Sequence, residues 1–398
     1  MTSIDIQNRW LMLVFALLAM QCTRPEPEKT CIHFNFDHGS LGPLKEVQKN
    51  EFEGQTMHWI KSDQIGNQYY WFYFQVDNAE NETLKFKLTN LQGVYRGNRH
   101  LLYTGETRPV ISYDRQNWKR ISDVDYDQNA YTFTFQHTFT ENRAWIAYAH
   151  PYSLSRKQDY LERIADHPMV EIDTIGYSRE ERPVEMITIP SDGNPGKMKT
   201  LFFTGLQHPG EDCVGYLFEG LLDFILSDDP MAARIRDHYL IKLVFMMNPD
   251  GVFHGTTRYS WTMEDLNAEW DTTECFVEPE VEAVKSWAEK WMDRGNQIAM
   301  MLDFHSHGQK NTRNVLVMPE DNLSELVPDL QKYWKIMGSR GRFGSSASSY
   351  FYYVYQVPSA TVELSQSHPG DGKYLTIDDY RNYGKGIMLG IRDFIEEE

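Results

Sequence analysis

Leu201-Phe202-Phe203-Thr204-Gly205-Leu206-Gln207-His208-Pro209-Gly210-Glu211-Asp212 is an apolar run that ends at a histidine and is broken by a Pro-Gly pair before a glutamate. The run reads as a buried strand. Val214, Leu217, Phe218, Leu221, Leu222 and Ile225 then follow at helical spacing. In open α/β sheets ligands gather beyond the carboxyl ends of strands, so a strand-to-helix turn is a place for a site. Pro209-Gly210 bends the backbone so that the His208 imidazole and the Glu211 carboxylate can converge on one divalent metal. His-x-x-Glu also occurs as an ordinary solvated turn. The reading therefore needs a third ligand, a base and an oxyanion stabiliser elsewhere in the chain.

On both sides of this stretch, strands and helices alternate. Ser153–Ala165 has a Ser cap region and helical spacing of Tyr160, Leu161 and Ile164. Val170–Ile175 and Val184–Ile189 read as strands joined by a turn at Tyr177–Glu181. Tyr239–Met247 reads as a strand, Pro279–Met292 as a helix and Ile298–Phe304 as a strand. Ser359–Leu364 is a short strand and Asp378–Ile395 a closing helix. The alternation predicts an α/β domain with a largely buried sheet. From Cys31 to about Pro151 the pattern is different: Gln68–Asp77, Leu84–Leu88, Ala130–Gln136 and Ala144–His150 are aromatic-rich, strand-like segments. They predict a β-sandwich whose aromatics form its core.

Three more stretches carry chemistry. Asp303-Phe304-His305-Ser306-His307 closes an apolar strand, and His305, with His307 as its competitor, is the candidate third ligand. Asn248-Pro249-Asp250-Gly251 precedes Arg258 and Asp265-Leu266-Asn267. Ala360-Thr361-Val362-Glu363-Leu364 puts a carboxylate inside an apolar strand, where an unpartnered charge costs several kcal/mol. Glu363 is thus either paired or placed for proton transfer. The segment Ser349–Tyr355 (SYFYYVY) alternates like a strand with core-facing aromatics, and His368-Pro369-Gly370-Asp371 reads as a loop that only echoes the first turn.

In this order and spacing the pieces HPGE (208–211), NPDGVFHGTTRYSWTMEDLN (248–267), DFHSH (303–307) and TVEL (361–364) resemble the zinc metallocarboxypeptidases, in particular their cytosolic-carboxypeptidase-like branch. LLYTGETRP (101–109), Trp118 and AHPYSLS (149–155) resemble the β-sandwich that precedes the catalytic domain there. The resemblance implies a mixed-sheet α/β/α catalytic domain at 153–398, preceded by an all-β sandwich at 23–152. It implies one Zn²⁺ per chain on His208, Glu211 and His305. Glu363 would be general base and then acid, and Arg258 would stabilise the oxyanion. Asp265 would orient His208, and Asn267 would bind the substrate's terminal carboxylate.

Two positions depart from the family pattern. Where the family usually reads Asp-Leu-Asn-Arg, this chain has Ala268, which cannot grip a carboxylate. Arg313 and Arg342 are the candidates to replace that arginine. Members that remove glutamate from acidic tails carry an arginine about fifteen positions before the catalytic glutamate; here Ser348 stands in Ser345–Ser349. The chain is therefore expected not to be a deglutamylase of that kind. The leading expectation is a metallocarboxypeptidase acting on a peptide or peptide-like substrate. An amidohydrolase on cell-wall stem peptides or acylated amino acids, and a non-catalytic binding lipoprotein, are the alternatives.

Bulk properties bound these readings. With 398 residues two domains are the default, and 41% hydrophobic residues exclude wholesale disorder. A formal charge of −18 argues against a nucleic-acid-binding surface. Trp10–Met20 behind Arg9 reads as an export signal, too short to span a bilayer, within a segment 1–22. Cys22 resembles a lipoprotein cleavage and acylation site, so the protein is expected to be exported, as a periplasmic or membrane-anchored lipoprotein. Four cysteines without CxxC spacing make neither a disulfide framework nor a zinc ribbon.

Overall fold

The computed structural model describes residues 29–57, 70–95, 98–101, 103–191, 199–271, 277–341 and 344–396. The export segment, Cys22, Cys275 and Arg342 lie outside the described residues. The N-terminal part is a sandwich of two five-stranded sheets. One runs in the order β1 (Cys31–His33), β4 (Tyr73–Asp77), β12 (Arg143–Ala147), β8 (Val110–Ser112) and β9 (Lys119–Arg120). The other runs β10 (Val124–Asp127), β11 (Thr132–Thr138), β5 (Thr83–Leu88), β3 (Glu51–Gly54) and β2 (Leu44–Gln48), and β6 (Gln92–Tyr95) pairs with β7 (Asn98–Leu101). Alternation places Phe72, Phe74, Phe86, Phe133, Phe135 and Ile146 between the sheets. The Phe72 and Phe135 rings stack at 5.8 Å across the gap. The aromatic density is core.

The C-terminal part is one mixed eight-stranded sheet. Its order is β13 (Glu171–Tyr177), β14 (Pro183–Ile189), β16 (Tyr239–Val244), β15 (Lys199–Gly205), β17 (Gln297–Ser306), β20 (Ser359–Leu364), β18 (Val315–Met318) and β19 (Met337–Arg340). The four central strands β16, β15, β17 and β20 are parallel and almost wholly buried. Helices cover both faces, as expected. On one lie α1 (Leu154–Ala165), α2 (Cys213–Ile225), α3 (Pro230–His238), α6 (Leu326–Gln331) and α8 (Ile377–Glu396). On the other are α5 (Pro279–Asp293) and α7 (Ala347–Tyr355), while the short α4 (Pro249–Phe253) follows the β16 end. Ser153 caps α1 by accepting from Arg156 N–H.

Gly205 closes β15 because α2 lies directly on it: a Cβ there would stand 2.6 Å from Val214 Cγ1 and 2.7 Å from Phe218 Cε2. The expected strand at Ser349–Tyr355 is instead helix α7. Ser346 caps it by accepting from Ser349 N–H, and Ala347 and Phe351, one helical turn apart, form the face that enters the core with Phe202 and Trp270. The aromatic alternation suggested a strand, but capping and an i, i+4 apolar pair outweigh β propensity in so short a segment. Of its tyrosines, Tyr353 is exposed, and Tyr350 and Tyr355 flank the core without being engulfed.

Candidate metal centre

The site sits at the carboxyl ends of β15, β17 and β20, on the face covered by α7. The register explains why. Thr204 pairs with Asp303 across β15 and β17, and His305 pairs with Glu363 across β17 and β20. Phe203, Phe304, Val362 and Leu364 point into the core on the α2 side. The alternating residues Thr204, Asp303, His305, Thr361 and Glu363 therefore point the other way.

Beyond β15 the buried Leu206 takes a left-handed backbone (φ 54°), which turns the chain over the strand ends. A β-carbon makes that conformation cost about 1–2 kcal/mol. It is held by Met247 N–H on Gly205 O and Asn248 N–H on Leu206 O. The turn delivers His208 and Glu211. His208 Nδ1 lies 2.8 Å from Glu211 Oε1, His305 Nδ1 lies 2.8 Å from Glu211 Oε2, and the two Nδ1 atoms are 3.1 Å apart. All three side chains are buried. Among the described residues this is the one group of three or more His, Cys, Asp and Glu whose donor atoms all fall within 4.8 Å of one another.

The far side of each ring settles which nitrogen faces Glu211. His208 Nε2 is 3.1 Å from Asp265 Oδ1 and His305 Nε2 is 2.8 Å from Asp303 Oδ2. Carboxylates only accept, so both Nε2 atoms carry a hydrogen, and each Nδ1 turns toward Glu211, where it holds a proton or gives it up to a metal. Two such nitrogens and a carboxylate converging on one point form a cation site, for protons or for a metal. Zinc fits: two imidazole nitrogens and a carboxylate, each imidazole backed by a carboxylate, is a donor set suited to that ion. Charges follow the same logic. Burial works against the Glu211 carboxylate, but His208 and His305 outweigh it and hold its pKa well below the usual range. Burial likewise opposes charge on His305, yet Asp303 and Glu211 raise its pKa well above the ordinary imidazole value. The pocket favours positive charge.

The surrounding residues lock this arrangement. Asp265 also accepts from Arg258 Nε at 2.7 Å, so Arg258, Asp265 and His208 form one chain of contacts. Burial opposes ionisation of Asp265, and Arg258 and His208 more than reverse it, depressing its pKa strongly. Gln207, absent from the sequence-based set, donates Nε2 to Asp303 Oδ2 at 2.7 Å and accepts from Trp270 Nε1 at 2.9 Å. Asp303 was likewise not assigned; its spacing of two from His305 on a strand was the available signal. Asn267 places Nδ2 3.1 Å from His305 Nε2, while its Oδ1 accepts from Ala347 N–H at the start of α7. Glu363 stands beside His305, partly exposed, with His307 Nδ1 3.4 Å from its Oε2. His307, the competing ligand in sequence, thus meets Glu363. Ala268 and Arg313 are exposed, and Ser348 is buried with its hydroxyl 2.8 Å from that of Thr361. His368 accepts from Gly370 and Gly372 N–H in a loop of its own.

A β-sandwich followed by an α/β/α layer whose parallel strand ends present a buried His-Glu-His set defines a two-part chain with a donor set suited to zinc. Comparison with known proteins extends this. Residues 32–149 match the cytosolic carboxypeptidase N-terminal domain and residues 158–337 match the zinc carboxypeptidase domain. The chain thus matches, in order, both domains of the cytosolic-carboxypeptidase branch of the zinc carboxypeptidases. It is 30% identical over 293 residues to cytosolic carboxypeptidase 6 of Caenorhabditis elegans, covering 69% of this chain and 62% of that protein. It is 28% identical over 304 residues to human cytosolic carboxypeptidase 6, covering 72% and 59%. The chain thus spans about three-fifths of these relatives. A metallo-carboxypeptidase structure from Burkholderia cenocepacia superposes with a TM-score of 0.81 at 20% identity, covering 93% of this chain and all of that one. One from Pseudomonas aeruginosa gives 0.77 at 22%, covering 92% and 99%. The zinc carboxypeptidase match ends at residue 337, so Glu363 stands on its register against His305.

Proposed function

We propose that the chain is a zinc-dependent metallocarboxypeptidase that hydrolyses a C-terminal peptide bond. The observation that carries this is the convergence of His208, Glu211 and His305, with Glu363 on the neighbouring strand. His208, Glu211 and His305 would hold Zn²⁺, which when bound would supply Lewis-acid polarisation of a carbonyl and a lowered pKa for water. Glu363, partly exposed beside His305, receives the proton of the attacking water on its carboxylate and returns it to the departing amine. Arg258, held by Asp265, is the donor for the developing oxyanion. Asp265 and Asp303 keep both imidazoles in the tautomer that leaves Nδ1 free.

The substrate end is the finer part of the reading. Position 268 carries only an exposed methyl group, and Ser348 offers a hydroxyl already shared with Thr361. This supports a C-terminal residue other than glutamate. It also gives the second reading its one specific observation: an amidohydrolase on stem peptides or acylated amino acids needs no arginine grip there. Digestion of a mixed peptide and muropeptide pool, followed by mass spectrometry with Glu363→Gln as control, separates them. Strong preference for C-terminal glutamate would overturn the specificity reading. Export, with acylation at Cys22, is proposed from residues 1–22 alone; among the described residues no helix is long and apolar enough to cross a membrane. The mass of the mature N-terminus in globomycin-treated cells tests it.

A further inference from the structure

We infer that His38, a residue of the N-terminal sandwich part, is a positioning residue for the metal turn: it clamps Asp212 and thereby sets where Glu211 stands. The inference rests on the reading of 208–211 as the metal turn. His38 and Asp212 are both fully buried, and His38 Nε2 lies 2.7 Å from Asp212 Oδ1. The other ring nitrogen, Nδ1, lies 2.8 Å from the carbonyl of Val252. Both neighbours are acceptors, so both ring nitrogens carry hydrogen and the ring is a buried imidazolium. It bridges the residue after Glu211 to helix α4. Trp71 stacks on this ring at 4.4 Å and donates Nε1 to the His38 carbonyl, while His38 N–H donates to Phe253 O. The ring has no freedom to relax.

The same side of the molecule reaches the turn at two more points. Tyr70 donates its hydroxyl to Gly210 O at 3.4 Å. Trp71 N–H donates to Thr257 Oγ1, and the Thr257 carbonyl accepts from Gly210 N–H at 2.9 Å. The peptide groups between His208 and Asp212 are therefore gripped from the sandwich part as well as from the sheet. Asp212 does not cap α2 with its side chain; its Oδ1 takes the Tyr152 N–H and its Oδ2 is buried without a hydrogen-bond partner among the described residues. Without the imidazolium a buried carboxylate one residue from the ligand has a single N–H left. Its relief is rotation, and Glu211 moves with it.

The test uses the whole chain. His38 has a left-handed backbone (φ 68°), which asparagine tolerates and other side chains resist, so the variant is His38→Asn. Ile146→Ala, in the sandwich core and away from the turn, is the control for loss of stability alone. Zinc affinity is read by competition with a chromophoric chelator at a temperature where circular dichroism shows both variants folded. The Co²⁺-loaded proteins are compared by their d–d absorption. His38→Asn is expected to weaken zinc binding about 10-fold or more and to shift the Co²⁺ spectrum, on the scale of other outer-shell changes. Ile146→Ala is expected to leave both unchanged. If His38→Asn does not fold, Asp212→Asn is measured in its place with the same expectation. Parental zinc affinity and spectrum in the clamp variant, or equal losses in both variants, would overturn the inference. A parent chain that binds zinc with this sensitivity but cleaves no peptide overturns the peptidase reading and supports the clamp.

Discussion

At the scale of single residues the proposed chemistry separates ligands, orienters and base. Glu363 binds none of the donor cluster, so Glu363→Gln is expected to lower kcat about a hundred- to ten-thousand-fold while zinc content by atomic absorption stays at one per chain. Asp265→Asn replaces an acceptor shared by His208 and Arg258. It should weaken zinc about 10- to 100-fold in a chelator competition, where Glu363→Gln should not. Glu280 gives a pH signature outside the site. Burial pushes its carboxyl up to about 8, and its Oε2 has no hydrogen-bond partner among the described residues. Below the ordinary carboxyl pKa of about 4.5 both folded and unfolded chains hold this proton. Between there and about pH 8 only the folded chain does, so stability falls as pH rises. Glu280→Gln should therefore gain stability over the parent progressively from pH 5 to 8, by about 1–3 kcal/mol in urea titrations, with no gain at pH 4. His208, His305 and Glu363 were legible in sequence because each follows or interrupts an apolar strand, and Glu211 because it follows the Pro-Gly break three residues after His208. Gln207 was not, since a neutral side chain shows its role only through the partners it meets.

At the scale of elements, strand alternation did the placing. Asp303 and His305 share a face because they are two apart, and Glu363 joins them because β17 and β20 run parallel in register. The helix spacing after His208 and the closing helix were read close to their observed limits, since each carries a long apolar face. The seven residues from Ser349 to Tyr355 were misread because at that length aromatic alternation and a helical face cannot be distinguished without the partner surface. The helix start at Ser346 matters to the site, as the next N–H, of Ala347, holds Asn267. Ser346→Ala should cost about 1 kcal/mol in thermal or urea unfolding, the usual loss for a helix cap. A larger loss would mean that the hydroxyl contacts with Ser348 and Ser349 carry weight beyond capping.

At the scale of the whole molecule, the two parts share buried groups: His38 with Asp212, Trp71 with Thr257, and Arg120 of β9 with the carbonyls of Gln366 and Leu375. Gln366 in turn donates to Gly210 O. Such contacts cannot be left half made, because each leaves a buried polar group unsatisfied. The expected outcome is a single calorimetric unfolding transition. Metal bound only to the folded state adds about 4 kcal/mol at a thousandfold excess over its dissociation constant. Chelation should therefore lower that one transition as a unit, with sandwich tryptophans and catalytic-domain signals moving together. Two separated transitions, with only one sensitive to chelator, would contradict the coupling.

The sequence alone determined the layered α/β domain, the sandwich ahead of it and the donor types at the strand ends. These follow from local periodicity and from the cost of burying a histidine or carboxylate without purpose. Only the tertiary structure decided which nitrogens face the metal point, that His307 meets Glu363 rather than joining the ligands, and that a histidine from residue 38 lies against the residue after Glu211. The longest of these join residues 57 and 174 positions apart, and His307 meets Glu363 across neighbouring strands. Nothing in local patterning encodes them, because they arise when two separately patterned parts pack and every buried donor has to find an acceptor.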